Sequence, residues 1–301
     1  MQAPRRRCAI CRLGSGRRPV AAESARSRVP MCLAAIAHRI HPQYRLIVLA
    51  NRDEFHARAA LSAHLWSDQP NVLGGRDARA GGTWLAIDRQ RRVGLVTNYR
   101  EPVKVPAEAP TRGRLVPAFL AGDAPPARFL ADLASDAARY AGFNLLLADR
   151  DTLWYASNRH PEFARDVPRG VYALSNHLLD TPWPKLRRLR ERVTDWLETA
   201  PPNFDGAAAG LEPLWAALAD DARAAPEALP ATGVSPEWEH LLSSAFIRHA
   251  DYGTRCSTLV LVGNDDSLQI EERSFAIDGS LRERVRWQAA PGVWPPTPTP
   301  A

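Results

Sequence analysis

The sequence predicts an α+β fold in which antiparallel sheets are layered with helices. Segments typical of strands and segments typical of helices occur in separate blocks along the chain, and this order argues against repeated βαβ units. The 301 residues are 45% hydrophobic and 24% charged, which is ordinary for a globular protein. We find no internal repeat, so a single domain over residues 31–290 is the simplest organisation.

Short apolar runs bounded by turn residues predict the first strands. Residues 32–39 and 45–50 flank a proline-containing turn and are expected to form a hairpin. A loop containing Trp66 follows. Two pairs of glycines, which suit tight turns, then lead into strands over residues 83–88 and 92–99.

Helical periodicity is found in four later segments. Residues 112–121 and 126–140 have apolar residues at helical spacing. The pattern is strongest over residues 184–199, where apolar side chains fall on one face and arginines on the other. Ser235 before a proline is typical of a helix start and predicts a helix over residues 236–246.

The remaining strands are predicted from apolar runs between these helices and towards the end of the chain. Residues 200–235 are expected to form short helices joined by loops, and the proline-rich residues 291–301 are expected to be a disordered tail. The predicted strands are residues 142–148, 152–157, 171–175, 254–262, 268–277 and 281–288.

The positive charge of the chain is concentrated in its first 30 residues. The net charge is +6, but residues 1–30 hold eight arginines and one glutamate, so that they carry +7 and the remainder carries −1. A near-neutral body does not provide the basic surface that nucleic acids require, and we expect no nucleic-acid partner.

Residues 1–30 have too few apolar residues to form a core and are predicted to be a disordered basic extension. Three interpretations stay open: an organelle transit segment, a basic tail, or non-native sequence from a misplaced start. Met31 is followed by the small residue Cys32, which permits removal of an initiating methionine. We therefore expect the working chain to begin at Cys32.

Cysteine usage and hydropathy predict a soluble, cytoplasmic protein. No apolar run approaches the roughly 18 residues that span a bilayer. The four cysteines do not form a disulfide framework, and the lone Cys8-Cys11 pair lacks a second pair for zinc. The histidines show no ligand spacing, so we expect neither metal nor cofactor. The oligomeric state is left open.

A cysteine at the true N-terminus would carry its own general base. The α-amino group has an ordinary pKa of about 7.7–8.0, close to the working pH, and can accept the thiol proton. In the expected hairpin, Cys32 would lie beside Arg52 and Asp53, so that Arg52 favours the thiolate and Asp53 holds the amine. The alternatives are a buried structural cysteine and a solvated turn.

Five blocks carry a resemblance to a known family. Their pattern, from Met31 to about residue 288, resembles the NRDE family, which is also called the transport-and-Golgi-organisation family. The blocks are Met31-Cys32, Asn51-Arg52-Asp53-Glu54, Gly81-Gly82-Thr83-Trp84, Thr97-Asn98-Tyr99-Arg100 and Tyr252-Gly253-Thr254-Arg255.

The pattern is also similar, at lower specificity, to choloylglycine hydrolases and penicillin V acylases. That resemblance implies an N-terminal-nucleophile fold, a four-layer αββα sandwich of antiparallel sheets. The catalytic residues that it implies, in chain order, are Cys32, Arg52, Asp53, Asn98, Asn176 and Arg255. The substrate-binding residues proposed with them are Asn51, Gly82, Thr83 and Trp84.

The resemblance also implies roles for three of these residues. Asn98 would stabilise the oxyanion, Asn176 would orient the amine and the substrate, and Arg255 would adjust the charge of the site. Structural alternatives exist: an asparagine after a strand is a common turn residue, and an arginine at a strand end is usually solvated. Cys256 is expected in the core, and Gly81-Gly82 is expected to make a bend rather than a substrate contact.

Two functions follow from these resemblances. The first is an N-terminal cysteine hydrolase or acyltransferase acting on linear amide bonds of a small molecule. The second is a non-catalytic binding or trafficking protein for a hydrophobic ligand, such as an acyl lipid or haem, that uses the same fold.

Overall fold

The computed structural model describes residues 31–102, 106, 108–201, 204, 206 and 208–299. The predictions for residues 1–30, including Cys8 and Cys11, lie outside these residues. The first strands are β1 (Met31–His38), β2 (Tyr44–Phe55), β3 (Ala60–Leu65), β4 (Val72–Asp77), β5 (Leu85–Asp88), β6 (Val93–Asn98) and β7 (Phe143–Ala148). The later strands are β8 (Leu153–Ser157), β9 (Ala164–Asp166), β10 (Gly170–Leu174), β11 (Tyr252–Gly263), β12 (Leu268–Phe275), β13 (Leu281–Ala289) and β14 (Thr297–Thr299).

The described strands form two seven-stranded sheets, and every pairing is antiparallel. Sheet A has the order β10-β1-β2-β11-β12-β13-β14, and sheet B has the order β3-β4-β5-β6-β7-β8-β9. The α-helices are α1 (Leu115–Ala121), α2 (Pro126–Leu133), α3 (Pro184–Thr199), α4 (Ala208–Leu218) and α5 (Pro236–Leu241).

Three apolar cores hold four layers together. Side chains of both sheets meet in the central core, as Val48 and Ala50 of sheet A do with Leu95 of sheet B. Helices α3 and α4 cover the outer face of sheet A, and α1 and α2 cover the outer face of sheet B. The predicted αββα sandwich is confirmed. No helix of the described part of the chain is long and apolar enough to span a membrane.

Strand β2 is buried along its whole length except its last residue, because it packs on both faces. Val48 and Ala50 belong to the central core, whereas Ile47 and Leu49 contact the helices of the α3/α4 layer. This alternation continues beyond residue 50, where the strand was predicted to end, through residues 51–55, so the alternative of a solvated turn for this segment is wrong. The NRDE block is therefore strand, and its side chains are divided between the two faces.

Several predicted boundaries are corrected by the structure. The segment predicted as a loop around Trp66 is flanked by β3 and β4, and the glycines of β4 concealed its strand pattern. Gly74 lies there because a Cβ atom would come 2.6 Å from the Leu85 carbonyl oxygen. The helices expected over 126–140 and 236–246 end earlier, at Leu133 and Leu241.

The predicted disorder of residues 291–301 is wrong for the residues that the structure describes, up to Thr299. The indole Nε1 of Trp294 donates to the Pro70 carbonyl at 3.0 Å, and Arg91 Nη2 donates to the Val293 carbonyl at 2.9 Å. These anchors let β14 pair with β13. Long-range contacts of this kind leave no local signature in a proline-rich sequence.

The outer half of sheet A contains a buried carboxylate, Glu271, with three arginine partners. Glu271 is 0% exposed and accepts hydrogen bonds from Arg273 at 3.0 Å, Arg284 at 2.8 Å and Arg286 at 2.5 Å. Burial alone would raise the pKa of Glu271, but these hydrogen bonds outweigh it and lower the pKa. The stabilisation is therefore complete above the ordinary carboxyl pKa and is lost as pH falls through the lower folded value.

Replacing Glu271→Gln should destabilise the protein by about 3 kcal/mol at pH 7, because three arginines lose a charged partner. Urea unfolding measures the change. The control is Glu212→Gln, since Glu212 pairs with Arg273 but its side chain is 59% exposed; it should have a far smaller effect. Equal losses in the two variants would contradict the assignment of Glu271 as the centre of this cluster.

Candidate active site

The β1–β2 hairpin brings the NRDE block beside the start of β1. Cys32 pairs with Arg52, and Met31 pairs with Asp53. Directly opposed residues share a face of the sheet, so Cys32 and Arg52 both face the space between the sheets. Asp53, one residue further, faces the α3/α4 layer. Arg52 and Asp53 therefore lie on opposite sides of sheet A next to Cys32.

The backbone nitrogen of Cys32 is held by Asn176. The peptide N–H of Cys32 donates to Asn176 Oδ1 at 3.3 Å, and Ser175 Oγ donates to the same oxygen at 3.1 Å. Asn176 Nδ2 donates in turn to the main-chain carbonyl of Asn98 at 2.9 Å. Asn176 is 0% exposed. The structure thus brings Cys32, Asn176 and Asn98 together, although they come from β1, the turn after β10 and the end of β6.

Asp53 is buried with one oxygen engaged and one free of partners. It is 1% exposed, its Oδ1 accepts from Thr254 Oγ1 at 2.7 Å, and its Oδ2 has no hydrogen-bond partner among the described residues. Burial raises the pKa of Asp53 to about 6, against the opposing effects of Lys185, the Thr254 hydrogen bond and Arg52. The site therefore holds an incompletely satisfied carboxylate beside the start of β1.

Lys185 is a member of this site that the sequence did not reveal. It is 2% exposed, and within the part of the chain that the structure describes its Nζ has no hydrogen-bond partner. Burial lowers the pKa of Lys185 to about 8, and Asp53 is the strongest opposing influence. One signal could have found it: Lys185 lies four residues before Leu189 and eight before Val193, on the apolar face of α3.

The thiol of Cys32 is held in its protonated form. Burial is the main cause that raises its pKa to about 12, and the negative charge of Asp53 adds to it. Arg52 and the backbone N–H of Asp53 act in the opposite direction. In this chain Met31 precedes Cys32, so the nitrogen of Cys32 is a peptide nitrogen and supplies no positive charge.

Arg52 separates Cys32 from a cavity between the sheets. Its guanidinium lies 4.6 Å from the centre of the Trp84 ring, and Nη2 is 3.5 Å from Glu54 Oε2. Arg52 is 5% exposed, and its Nη1 has no partner. The cavity has a volume of about 530 Å³. Arg52 and Trp84 line it, but Cys32 is not one of its lining residues.

Arg255 reaches the same cavity through a β-bulge in β11. Thr254 pairs with Asp53 and Cys256 pairs with Arg52, so Arg255 is the extra residue between them. The bulge lets Thr254 face the α3/α4 layer while Cys256 lines the cavity. Arg255 Nη1 contacts His56 Nδ1 at 2.8 Å.

The far wall of the cavity mixes aromatic, aliphatic and charged groups. Glu272, on this wall, is already engaged, accepting from the Ala63 N–H and from Thr258 Oγ1, each at 2.9 Å. The wall includes Leu61, Glu272, Phe275, Arg282, Val285 and Trp287. A small molecule with an apolar body and a polar group fits these surroundings.

Cys256 lies deep in the wall as a second free thiol. It is 4% exposed, and burial followed by Glu272 raises its pKa well above the ordinary value. It pairs with Arg52 from the side opposite to Cys32. Two strand spacings of about 4.8 Å separate the two cysteines, which is too far for a disulfide.

Three of the predicted substrate-binding residues are used inside the protein. Asn51 is 1% exposed and bonds the carbonyls of Leu218 and Ala245 through Nδ2 and Ser257 through Oδ1. Asn51, Gly82 and Thr83 do not line the cavity, whereas Trp84, the fourth predicted residue, does.

The other two serve the bend before β5. Thr83 Oγ1 donates to the Gly75 carbonyl at 2.6 Å. A Cβ atom on Gly82 would come 2.3 Å from the Gly113 carbonyl oxygen, so a side chain there is excluded by backbone. Gly81 has φ +69°, which suits a turn. The glycine pair makes a bend, as the sequence favoured.

Comparison with protein families matches residues 31–276 to the family described as "Transport and Golgi organisation 2". The chain belongs to this family. The family assignment made from the NRDE block is thereby confirmed. The match includes all six predicted catalytic residues, from Cys32 to Arg255.

Curated members of the transport and Golgi organisation 2 family are similar over most of their length. The chain is 35% identical to the Bos taurus "Transport and Golgi organization protein 2 homolog" over 258 residues, covering 81% of this chain and 90% of the relative. It is 32% identical to the Homo sapiens homolog over 247 residues, covering 77% and 87%. The Drosophila melanogaster protein is 29% identical over 272 residues, covering 82% and 94%.

A solved structure is also similar to this member of the transport and Golgi organisation 2 family. It is the Caenorhabditis elegans N-acylethanolamine-hydrolyzing acid amidase (NAAA) ortholog. The TM-score is 0.38 at 10% sequence identity, and the match covers 76% of this chain and 92% of that chain.

In the full chain, in which Met31 precedes Cys32, alkylation of Cys32 by iodoacetamide should be very slow at pH 7. A thiol with a pKa of about 12 is almost wholly protonated there. The rate, followed by the mass of the Cys32 peptide, should rise roughly tenfold per pH unit to at least about pH 10, because only the thiolate reacts. Asp53→Asn should raise the rate at pH 8. A rate that levels off near the ordinary cysteine pKa of about 8.5 would contradict the buried, anionic surroundings assigned to this thiol.

Proposed function

We propose that this protein is an N-terminal cysteine hydrolase or acyltransferase that acts on linear amide bonds of a small molecule. In the proposed mature form, Cys32 is the first residue and its α-amine is free. The proposal places this form in the cytoplasm, where reduced thiols persist, in keeping with the free Cys32 and Cys256. The family name does not specify a reaction, so the proposal is based on the site.

One observation supports the proposal: in the described part of the chain, a buried amide oxygen and a buried carboxylate oxygen lie near the start of β1, where the free α-amine would be. Asn176 Oδ1 already accepts the single N–H of Cys32, and Asp53 Oδ2, beside the start of β1, has no partner. A peptide nitrogen has one hydrogen, but an α-ammonium has three. An unsatisfied buried carboxylate oxygen costs stability, and a second N–H from the freed amine would remove that cost.

The proposed reaction begins with proton transfer from the Cys32 thiol to its own neutral α-amine. Sγ attacks the amide carbonyl carbon, and the carbonyl oxygen becomes an oxyanion that Asn98 stabilises. When the C–N bond breaks, the α-ammonium returns its proton to the leaving amine, and a thioester is left on Sγ. Water or a second amine attacks the thioester, its proton passes to the α-amine, and the C–S bond breaks.

The freed amine also changes the state of the thiol. Met31 removal places a positive charge next to Sγ, and an adjacent positive charge lowers a thiol pKa. Arg52 acts in the same direction from the cavity side. The protonated thiol of the longer chain is therefore the state expected before maturation.

The test compares two forms of the protein, one beginning at Cys32 and one retaining Met31, with an acyl p-nitrophenyl ester. The form beginning at Cys32 should release one equivalent of nitrophenolate in a burst and gain the mass of one acyl group on Cys32. Its mass should return to the starting value as water resolves the thioester. The form that retains Met31 should show neither effect.

Two serine variants serve as controls. Cys32→Ser should abolish the burst and the thioester, whereas Cys256→Ser should keep both, since Cys256 lies on the other side of Arg52. Acylation of Cys256, or equal acylation of the two forms of the chain, would overturn the proposal. Circular dichroism verifies that each variant is folded.

A second candidate is favoured by one observation, namely that Cys32 is absent from the cavity wall. Under this proposal the cavity binds a hydrophobic ligand such as an acyl lipid or haem without catalysis. A fluorescent fatty acid would then bind equally to the form beginning at Cys32 and to its Cys32→Ser variant, and no covalent adduct would form on Cys32. Absence of an ester burst from the form beginning at Cys32, together with fatty-acid binding that the Cys32→Ser change leaves unaltered, would favour this candidate.

A further inference from the structure

We propose that Lys185 is a positioning residue that offsets the negative charge of Asp53 and so keeps the α-amine of Cys32 available as a base. This inference rests on the proposed function. Lys185 does not touch the reacting atoms in this proposal, and it neither donates nor accepts a proton during the reaction.

The first support is that both groups are buried and incompletely bonded on the same side of sheet A. Lys185 is 2% exposed and Asp53 is 1% exposed. Neither Lys185 Nζ nor Asp53 Oδ2 has a hydrogen-bond partner in the described ranges of the chain. Helix α3, which carries Lys185, packs against β1 and β10. A buried unpaired charge is costly, so a lysine in this layer requires a nearby negative charge.

The second support is that the other charged groups facing Lys185 are already paired. Arg100 Nη1 bonds Glu239 Oε2 at 2.6 Å, and their side chains are 2% and 5% exposed. Glu239 also accepts from the Thr232 backbone N–H at 2.8 Å. The ionisable groups whose charges act on Lys185 are Asp53 of β2, Arg100 after β6, Cys32 of β1, which lies on the other face of sheet A, and Glu239 of α5.

Asp53 is thus the carboxylate left for Lys185. The charges of Arg52 and Glu54 also act on the pKa of Asp53. These two side chains have opposite charges and lie 3.5 Å from each other on the other face of β2. These two charges partly cancel at Asp53. Lys185 is the largest charged influence on the pKa of Asp53, and it lowers that pKa.

The consequence for the α-amine follows from charge alone. Without Lys185, an isolated Asp53 carboxylate would hold the α-ammonium protonated and would also disfavour the thiolate. Both effects raise the pH at which the α-ammonium or the thiol of Cys32 begins to lose its proton. With Lys185 present, the two charges sum to nearly zero, so the amine can be neutral near physiological pH while Asp53 still orients it.

The test uses the form beginning at Cys32 and follows the rate of Cys32 alkylation by iodoacetamide between pH 5 and about pH 10. Lys185→Met keeps an unbranched side chain that is one atom shorter, suits the buried site and removes the charge. It should move the midpoint of the pH–rate profile upward by about one unit or more, the size of a close charge interaction. Lys185→Arg, which keeps the charge, should move it by less than half of that.

Two further variants separate positioning from packing. Arg187→Met removes a charge from the exposed side of the same helix and should leave the midpoint unchanged. Combining Asp53→Asn with Lys185→Met removes both charges and should bring the midpoint back towards the wild-type value. The double variant also serves if Lys185→Met folds poorly, because it leaves no unpaired buried charge.

Failure of the role proposed for Lys185 and failure of the proposed function give different results. A wild-type profile with a near-neutral midpoint that Lys185→Met does not move, while its thermal midpoint falls, would overturn the role of Lys185 and leave the amidase proposal standing. A wild-type Cys32 that is not alkylated below about pH 10 despite a free amine would overturn the proposed function itself, since the α-amine would not activate the thiol.

Discussion

The arrangement of the site depends on the register between three neighbouring strands of sheet A. Cys32, Arg52 and Cys256 lie in one row across β1, β2 and β11. Because β2 continues without interruption through the NRDE block, adjacent residues of that block face opposite sides. One strand therefore supplies an arginine to the cavity and a carboxylate to the helical layer. A slip of one residue would exchange the two and remove both from their partners.

Several charged side chains are buried together at the site, and some of their polar atoms have no hydrogen-bond partner among the described residues. Arg52, Asp53 and Lys185 each have a buried polar atom with no hydrogen-bond partner. Buried polar atoms are usually satisfied, so a group of unsatisfied ones in one place supports the interpretation of this place as a functional site. The proposed α-amine and a bound substrate would account for the acceptor on Asp53 and for the donor of Arg52. By contrast, the Glu271 cluster is fully bonded, which is typical of a structural charge.

Much of the fold could be predicted from the sequence, because its elements have clear local patterns. Helix α3 has the predicted bounds, and the first hairpin follows from two apolar runs around a turn. The strands β3 and β4 could not be predicted in the same way. In β4, Gly74 is required by close contact with β5 and Gly75 by contact with the Trp84 ring, and such contacts are known only after the sheet is assembled.

The site was predicted less completely than the fold, for a related reason. The hairpin and the family resemblance together identify Cys32, Arg52, Asp53 and Asn176, which the structure brings together. Asn51 and Thr83 instead stabilise the fold, because their polar atoms are satisfied internally. Lys185 is distant in sequence, and only its place on the apolar face of α3 distinguishes it from a solvated lysine.

The proposed reaction requires that the working protein begins with a cysteine that has a free amine. The most direct test is the intact mass, with N-terminal sequencing, of the protein purified from its natural source. We expect a chain whose first residue is Cys32, with an unmodified α-amino group. A chain that retains Met31 or earlier residues, or an acetylated Cys32, would rule out the proposed reaction, because the thiol would then have no proton acceptor of its own.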